Sequence, residues 1–287
     1  VLDNPWGTAP GCAFEAEGKH VIMLPGPPRE CRPMMYERAV PYLKRLSDAA
    51  IVSHQIRIFG MGESGVEDKI RPIAEHMQNP TLAPYAKEGQ VLLRVTGKAE
   101  SEAAADALTQ PVVHQVCEML GDVVYDIDSP SLEDTVVRRL REHGLTLATA
   151  ESCTGGLLSK KITDIPGSSE VFPGGVCSYS NRAKELMLGV PHAVLEEHGA
   201  VSRECAMEMA RGAALMFGAD IGVSVTGIAG PDGGTEEKPV GTVYVALAAN
   251  GMCWCKCLHH QRDRGSVRNM AALTALDMVR RYIDHRG

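Results

Sequence analysis

What these 287 residues lack narrows the field first. No apolar run approaches the roughly 20 residues that a helix needs to cross a bilayer. No charged-then-apolar segment of the secretory kind opens the chain. The nine cysteines are odd in number and scattered, which suits neither a disulfide framework nor paired zinc knuckles; a reducing, cytoplasmic setting is expected. Positive charge is in deficit, with 29 Lys and Arg against 36 Asp and Glu and a formal net charge of −7. That balance argues against broad electrostatic binding to nucleic acid or to an anionic membrane. Internal repeats and low-complexity segments are also absent, which excludes a solenoid.

What is present is ordinary for a globular chain, with 44% hydrophobic and 23% charged residues. The length is enough for two or three cores. The chain begins at Val1 and within a few positions reads Asn4-Pro-Trp-Gly-Thr-Ala-Pro-Gly11, the texture of a domain interior. A piece of a longer protein is therefore expected.

Three stretches differ in grain. Residues 1–48 hold turn-rich loops, a short strand around His20-Val-Ile-Met-Leu24, and a helix started by Pro25-Gly-Pro-Pro28 and running to about Arg45; one strand and one helix cannot close a core alone. Residues 52–126 predict a small α+β module: a strand at 53–59, a turn at Gly60-Met-Gly-Glu-Ser-Gly65 into a helix, a strand at 91–95, an Ala-rich helix over 101–120 and a strand at 123–125. From 131 onward strands and helices alternate, with strands at 145–149, 174–180 and 220–226. Two antiparallel strands, 241–248 and 252–259, precede a last helix over 265–284. The fold class expected is α/β.

The most informative run is Thr149-Ala-Glu-Ser-Cys-Thr-Gly-Gly156, where an apolar strand delivers hydroxyls and glycines to a helix start. Such a turn exposes side chains at the carboxyl edge of a sheet and aims free N–H groups at an anion or oxyanion. Ser152 is the nucleophile candidate; its plain alternative is that Ser152 or Thr154 merely caps the helix. The turn is not the Gly-x-Ser-x-Gly of an ordinary α/β-hydrolase. Cys153 competes, but a thiol nucleophile wants a histidine base, and His192 and His198 have no evident reason to converge on it.

In Cys177-Ser-Tyr-Ser-Asn-Arg-Ala-Lys184 a strand ends at Tyr179, Asn181 is placed to cap, and Lys184 falls one turn into the next helix. A lysine in a partly dry pocket can serve as base to a serine; its plain alternative is a solvated surface group. A third strand brings Thr226 to a glycine-rich loop, Gly227-Ile-Ala-Gly-Pro-Asp-Gly-Gly234, which lacks the signature of a P-loop or of a dinucleotide fold. Arg262, Arg264 and Arg268 crowd the start of the last helix, where arginines suit phosphate or carboxylate, or simply salt bridges. Cys253-Trp-Cys-Lys-Cys257 puts three thiols on one strand face, which reads as packing rather than as a metal knuckle.

Together these segments resemble the CinA family. Thr149–Gly156, Pro166-Gly-Ser-Ser169, Tyr179-Ser-Asn181, His198-Gly-Ala-Val-Ser202, Thr226–Gly234 and Glu236-Glu-Lys-Pro-Val-Gly-Thr242 look like its carboxy-terminal domain. The opening residues resemble the tail of its molybdopterin-binding-like domain, and 52–126 its KH-like middle domain. The resemblance implies a remnant of the first domain at 1–48, the KH-like module at 52–126, and an α/β/α sandwich at 131–287. For that sandwich it implies PncC-type deamidation of nicotinamide mononucleotide to nicotinate mononucleotide and ammonia, in pyridine nucleotide salvage. By motif, Ser152, Lys184 and Tyr179 are then catalytic. Thr154, Gly155, Gly156, Thr226, Gly227, Gly230 and Arg264 bind substrate, although here the family's Gly-Asp-Arg-Asp reads Arg262-Asp-Arg-Gly265. The deamidation needs no metal or other cofactor; a divalent metal belongs to the ADP-ribose pyrophosphatase activity of the full first domain. A homodimer is implied, with a small nucleotide as substrate. Glu63 stands where an RNA clamp would want a cation, against RNA binding. The competing functions are the pyrophosphatase itself and a non-catalytic competence or damage-response role.

Overall fold

The computed structural model describes residues 1–87 and 89–285, and they form two compact units. The first comprises residues 1–53 and 96–110. In it β1 (Cys12–Ala16) and β2 (Lys19–Met23) make an antiparallel hairpin. Helix α1 (Pro28–Met34) then passes through one π-helical turn into α2 (Val40–Lys44), the continuous rod that Pro28 starts. Asn4 Nδ2 donates to Glu30 Oε2 at 2.9 Å, tying the opening loop to α1.

The second unit comprises residues 54–95 and 111–287; its boundaries fall within β3 (Ala50–Phe59), β5 (Gln90–Ala99) and α4 (Glu102–Leu120). With α3 (Glu63–Ala74), β4 (Thr81–Lys87) and β6 (Val124–Ile127), these elements build a four-stranded sheet of order β4-β5-β3-β6. Strand β4 has no counterpart in the sequence reading. Pro84 in its middle masks it, and a proline is tolerated on an edge strand such as this one. Ile56, Ile58, Val91, Leu93 and Val95 alternate onto one face and bury against Val66 and Ile70 of α3 and Val113 and Val116 of α4.

The remaining chain forms a three-layer arrangement. Its elements are α5 (Leu132–Glu142), β7 (Leu147–Glu151), α6 (Leu157–Thr163), β8 (Gly174–Cys177), α7 (Asn181–Leu188), α8 (His192–Glu197), α9 (Arg203–Phe217), β9 (Ile221–Gly227), β10 (Thr242–Ala249), β11 (Met252–His259) and α10 (Arg264–Asp284). The sheet order is β11-β10-β9-β7-β8, with β9, β7 and β8 parallel and β10 and β11 antiparallel to their neighbours. Leu147, Val223, Val225 and Val245 face α5, α6 and α10, whereas Ala148, Ala150 and Val176 face α7, α8 and α9. Small residues on the second face let α9 lie close: a Cβ at Gly222 would come within 2.0 Å of the Ala210 carbonyl oxygen. Among the described residues, no helix is long and apolar enough to cross a membrane.

Candidate active site

The parallel register lines up three strand ends. Ala150 pairs with Ser224 on one side and with Val176 on the other, and Ser152 N and Ser178 N continue the ladder to Val225 O and Glu151 O. Two residues further on, Ser178, Ser152 and Thr226 therefore lie in a row at the carboxyl edge of β8, β7 and β9. All three continue the α9-facing alternation of their strands.

Lys184 reaches this row from the first turn of α7. It is 1% exposed, and its Nζ donates to Ser152 Oγ at 3.2 Å and to the Ser178 carbonyl at 2.8 Å. The alternative of a solvated surface lysine is thereby excluded. Burial holds its pKa below the usual lysine value, opposed only by the nearby Cys205, Cys153 and Cys177 thiols. With no carboxylate among its partners, nothing stabilises the ammonium form as an ion pair would.

The helix-cap alternative for Ser152 fails as well. Gly156, at φ +90°, occupies the N-cap position of α6, and no side chain caps it from there. The helix start is held instead by Glu151, a fully buried carboxylate that accepts from Leu158 N at 3.0 Å, Ser159 N at 2.8 Å and Ser159 Oγ at 2.6 Å. An anion at a helix N-terminus is favourable, and here it leaves the neighbouring hydroxyl uncommitted. The sequence reading passed over Glu151. Its signal was a carboxylate at the last position of an otherwise apolar buried strand.

The loop between β7 and α6 turns on Gly155 and Gly156, both at positive φ. The Gly155 N–H is bonded to Ser152 O, so the backbone donors available to an oxyanion are those of Cys153, Thr154 and Gly156. Thr154 is buried and its Oγ1 has no partner. Cys153 packs into the α10-side core, where burial pushes its thiol up to about 11; it is a structural thiol, not a nucleophile. His192 is engaged by Glu185 on the outside of α8.

Two strand-end residues differ from expectation. Strand β8 stops at Cys177, and Ser180, not Asn181, caps α7 by accepting from Ala183 N. Tyr179 is 65% exposed, and its recorded hydroxyl partner is Arg264 at 3.5 Å, which sets it on the rim rather than beside Lys184. Thr226 is buried with its hydroxyl given to the Ala200 carbonyl at 2.7 Å, so it fixes the connection between α8 and α9.

Arg264, first residue of α10, donates to Gly230 O at 2.7 Å and thus holds the glycine-rich loop to the Tyr179 side of the rim. The loop begins at Gly227, where a Cβ would stand 2.7 Å from Thr242 O. Asp263 caps α10 through Gly265 N and Ser266 N. Arg262 turns away, lining a cavity with Gly60–Glu63, so of the two arginines it is Arg264 that joins the site. Arg268, one turn further along α10, donates to Thr154 O at 2.6 Å and lies 3.6 Å from where a Gly155 Cβ would be. Its signal in the sequence is the i, i+4 spacing from Arg264, which puts the two arginines on one face of the helix. The cysteines of β11 are half-buried on an edge strand, two of them packed under α9.

A three-layer α/β/α domain carrying a serine–lysine pair at the edge of its parallel strands, under two arginines, is the class these observations define. Residues 129–283 match the model of the CinA C-terminal domain, and residues 53–125 that of the damage-inducible protein CinA KH domain. A CinA-like protein of Kosmotoga olearia is 52% identical over 283 residues, covering 99% of this chain and 69% of the relative. One from Dictyoglomus turgidum is 46% identical over 281 residues, covering 98% and 68%. The crystal structure of competence/damage inducible protein CihA from Agrobacterium tumefaciens shares 41% identity at a TM-score of 0.51, covering 54% of this chain and 98% of its own. That of the competence damage-inducible protein A from Klebsiella pneumoniae shares 35% at 0.53, covering 54% and 97%. The chain belongs to the CinA family.

Proposed function

We propose that the carboxy-terminal domain hydrolyses the carboxamide of nicotinamide mononucleotide, giving nicotinate mononucleotide and ammonia, with Ser152 as nucleophile. The observation that carries this reading is the buried Lys184 Nζ, without a carboxylate partner, 3.2 Å from the Ser152 hydroxyl. Lys184 in its neutral form takes the Ser152 proton as Oγ attacks the amide carbon. N–H groups of the turn after Ser152 hold the oxyanion. The lysine then returns the proton to the leaving nitrogen, ammonia departs, and water frees the acyl-enzyme. Arg264 and Tyr179 on the rim meet the phosphate, with Gly227 and Gly230 shaping its approach, while Arg268 sets the turn by its bond to Thr154 O. This chemistry calls on no cofactor, and the acting assembly is a homodimer.

Ammonia release from nicotinamide mononucleotide, its riboside and free nicotinamide tests the assignment. Turnover is expected for the nucleotide, with KM at least tenfold higher for the riboside, which lacks the phosphate that Arg264 would meet. Silence toward all three overturns it and leaves the competence or damage-response role that the relatives' names carry.

A further inference from the structure

Two buried hydroxyls at this edge of the sheet are without a partner, those of Thr154 and Ser178, and of the two it is Ser178 whose backbone carbonyl meets Lys184 Nζ. Ser224 Oγ donates to Ala206 O at 2.5 Å, Thr226 Oγ1 to Ala200 O at 2.7 Å, and Ser152 Oγ accepts from Lys184. Ser178 is fully buried, and its Oγ has no partner. A buried hydroxyl left unpaired costs about 1–3 kcal/mol, so native interiors pair such groups with protein, water or ligand. Its neighbours are particular. The Ser178 carbonyl receives the Lys184 Nζ proton at 2.8 Å, its N–H holds Glu151 O, and the extended register places it beside Ser152 on the side away from Thr226. Lys184 Nζ has three hydrogen-bonding directions, two of them spent on Ser152 Oγ and Ser178 O.

We infer that Ser178 is a further catalytic residue: its hydroxyl holds the water that hydrolyses the acyl-enzyme, next to the base that activates it. This rests on the amidohydrolase reading above. In the step, neutral Lys184 takes one proton of the water as the water oxygen bonds the acyl carbon. The C–Oγ bond to Ser152 then breaks, and Oγ recovers a proton from the Lys184 ammonium. The carboxylic acid formed ionises to solvent, and Lys184 ends neutral.

Competition between water and hydroxylamine for the acyl-enzyme tests this, because the ratio of hydroxamate to acid is independent of which step limits turnover. With nicotinamide mononucleotide as substrate, Ser178→Ala is expected to raise the hydroxamate-to-acid ratio about tenfold over wild type, the worth of roughly one hydrogen bond. Ser178→Thr, which keeps the hydroxyl, stays near the wild-type ratio. Ser178→Cys keeps the volume with only a weak donor, so it shifts the ratio as Ala does and answers the question if the Ala variant fails to fold. An unchanged ratio in the Ala or Cys variant, with wild type releasing ammonia, overturns the role of Ser178 alone. A wild type that releases no ammonia overturns both readings.

Discussion

At the scale of single residues the argument turns on Lys184, whose amine lies in the core with a hydroxyl and a carbonyl for partners. Its folded pKa is lowered by burial, so between that value and the ordinary lysine value the unfolded chain binds the extra proton. The neutral amine's contribution to stability is complete above the unfolded pKa and is lost as pH falls through the interval below it. Activity depends on the same neutral form, so the acidic limb of kcat/KM should lie below the ordinary lysine range. Lys184→Met should lower kcat/KM by roughly 10²–10⁴-fold while leaving Tm unchanged or raised at neutral pH, where burying the amine is least favourable. Thermal melts across pH and a pH–rate profile check both parts. A large loss of Tm in this variant would mean that the amine serves structure instead. Sequence reading could nominate Lys184 from its place one turn into a helix, but not its burial, which is conferred by α9 and the ends of β7 and β8.

Among elements, the turn from β7 into α6 is the one that must hold its shape. Glu151 accepts two backbone N–H groups and one hydroxyl at the start of α6. Glu151→Ala would strand those buried donors, and a loss of about 3 kcal/mol is expected; urea melts would register it, with kcat falling in parallel as the Ser152 turn loosens. The packing of α9 on β9 makes a second demand. Gly222→Ala would drive a methyl to within 2.0 Å of Ala210 O, and about 3 kcal/mol of destabilisation follows from overpacking. A wild-type midpoint for either variant would contradict the account. Most strands and the long helices were legible from period and turn residues. Strand β1, proline-bearing β4 and short α8 were not, since their sequences carry too few periodic positions. The cap of α7 was misassigned by one residue because Ser180 and Asn181 are both good capping types.

At the scale of the molecule, burial and charged contacts within the second unit join residues of the α+β module to the three-layer domain. Phe59 and Tyr125 enter the core built by α5, α6 and α10. Arg280, buried on α10, pairs with Asp277 at 2.6 Å and donates to Asp122 O at 2.9 Å beyond the end of α4. Asp277→Ala would leave that buried guanidinium with Asp284, 3.2 Å from its Nη1, as the remaining carboxylate, and the lost hydrogen bonds are expected to cost about 1–3 kcal/mol, readable as a lowered Tm. The three chemistry-bearing segments were visible as motifs, and the parallel register explains why they meet. The sequence could not reveal which hydroxyls the fold would spend on its own carbonyls, because Thr226 and Ser178 look alike until their partners are placed. The central claim is that the Ser152 hydroxyl, served by Lys184, is the group that attacks. It is tested most directly by kcat/KM for ammonia release from nicotinamide mononucleotide in wild type and in folded Ser152→Ala. We predict a fall of about 10³-fold or more; a variant within tenfold of wild type would contradict it.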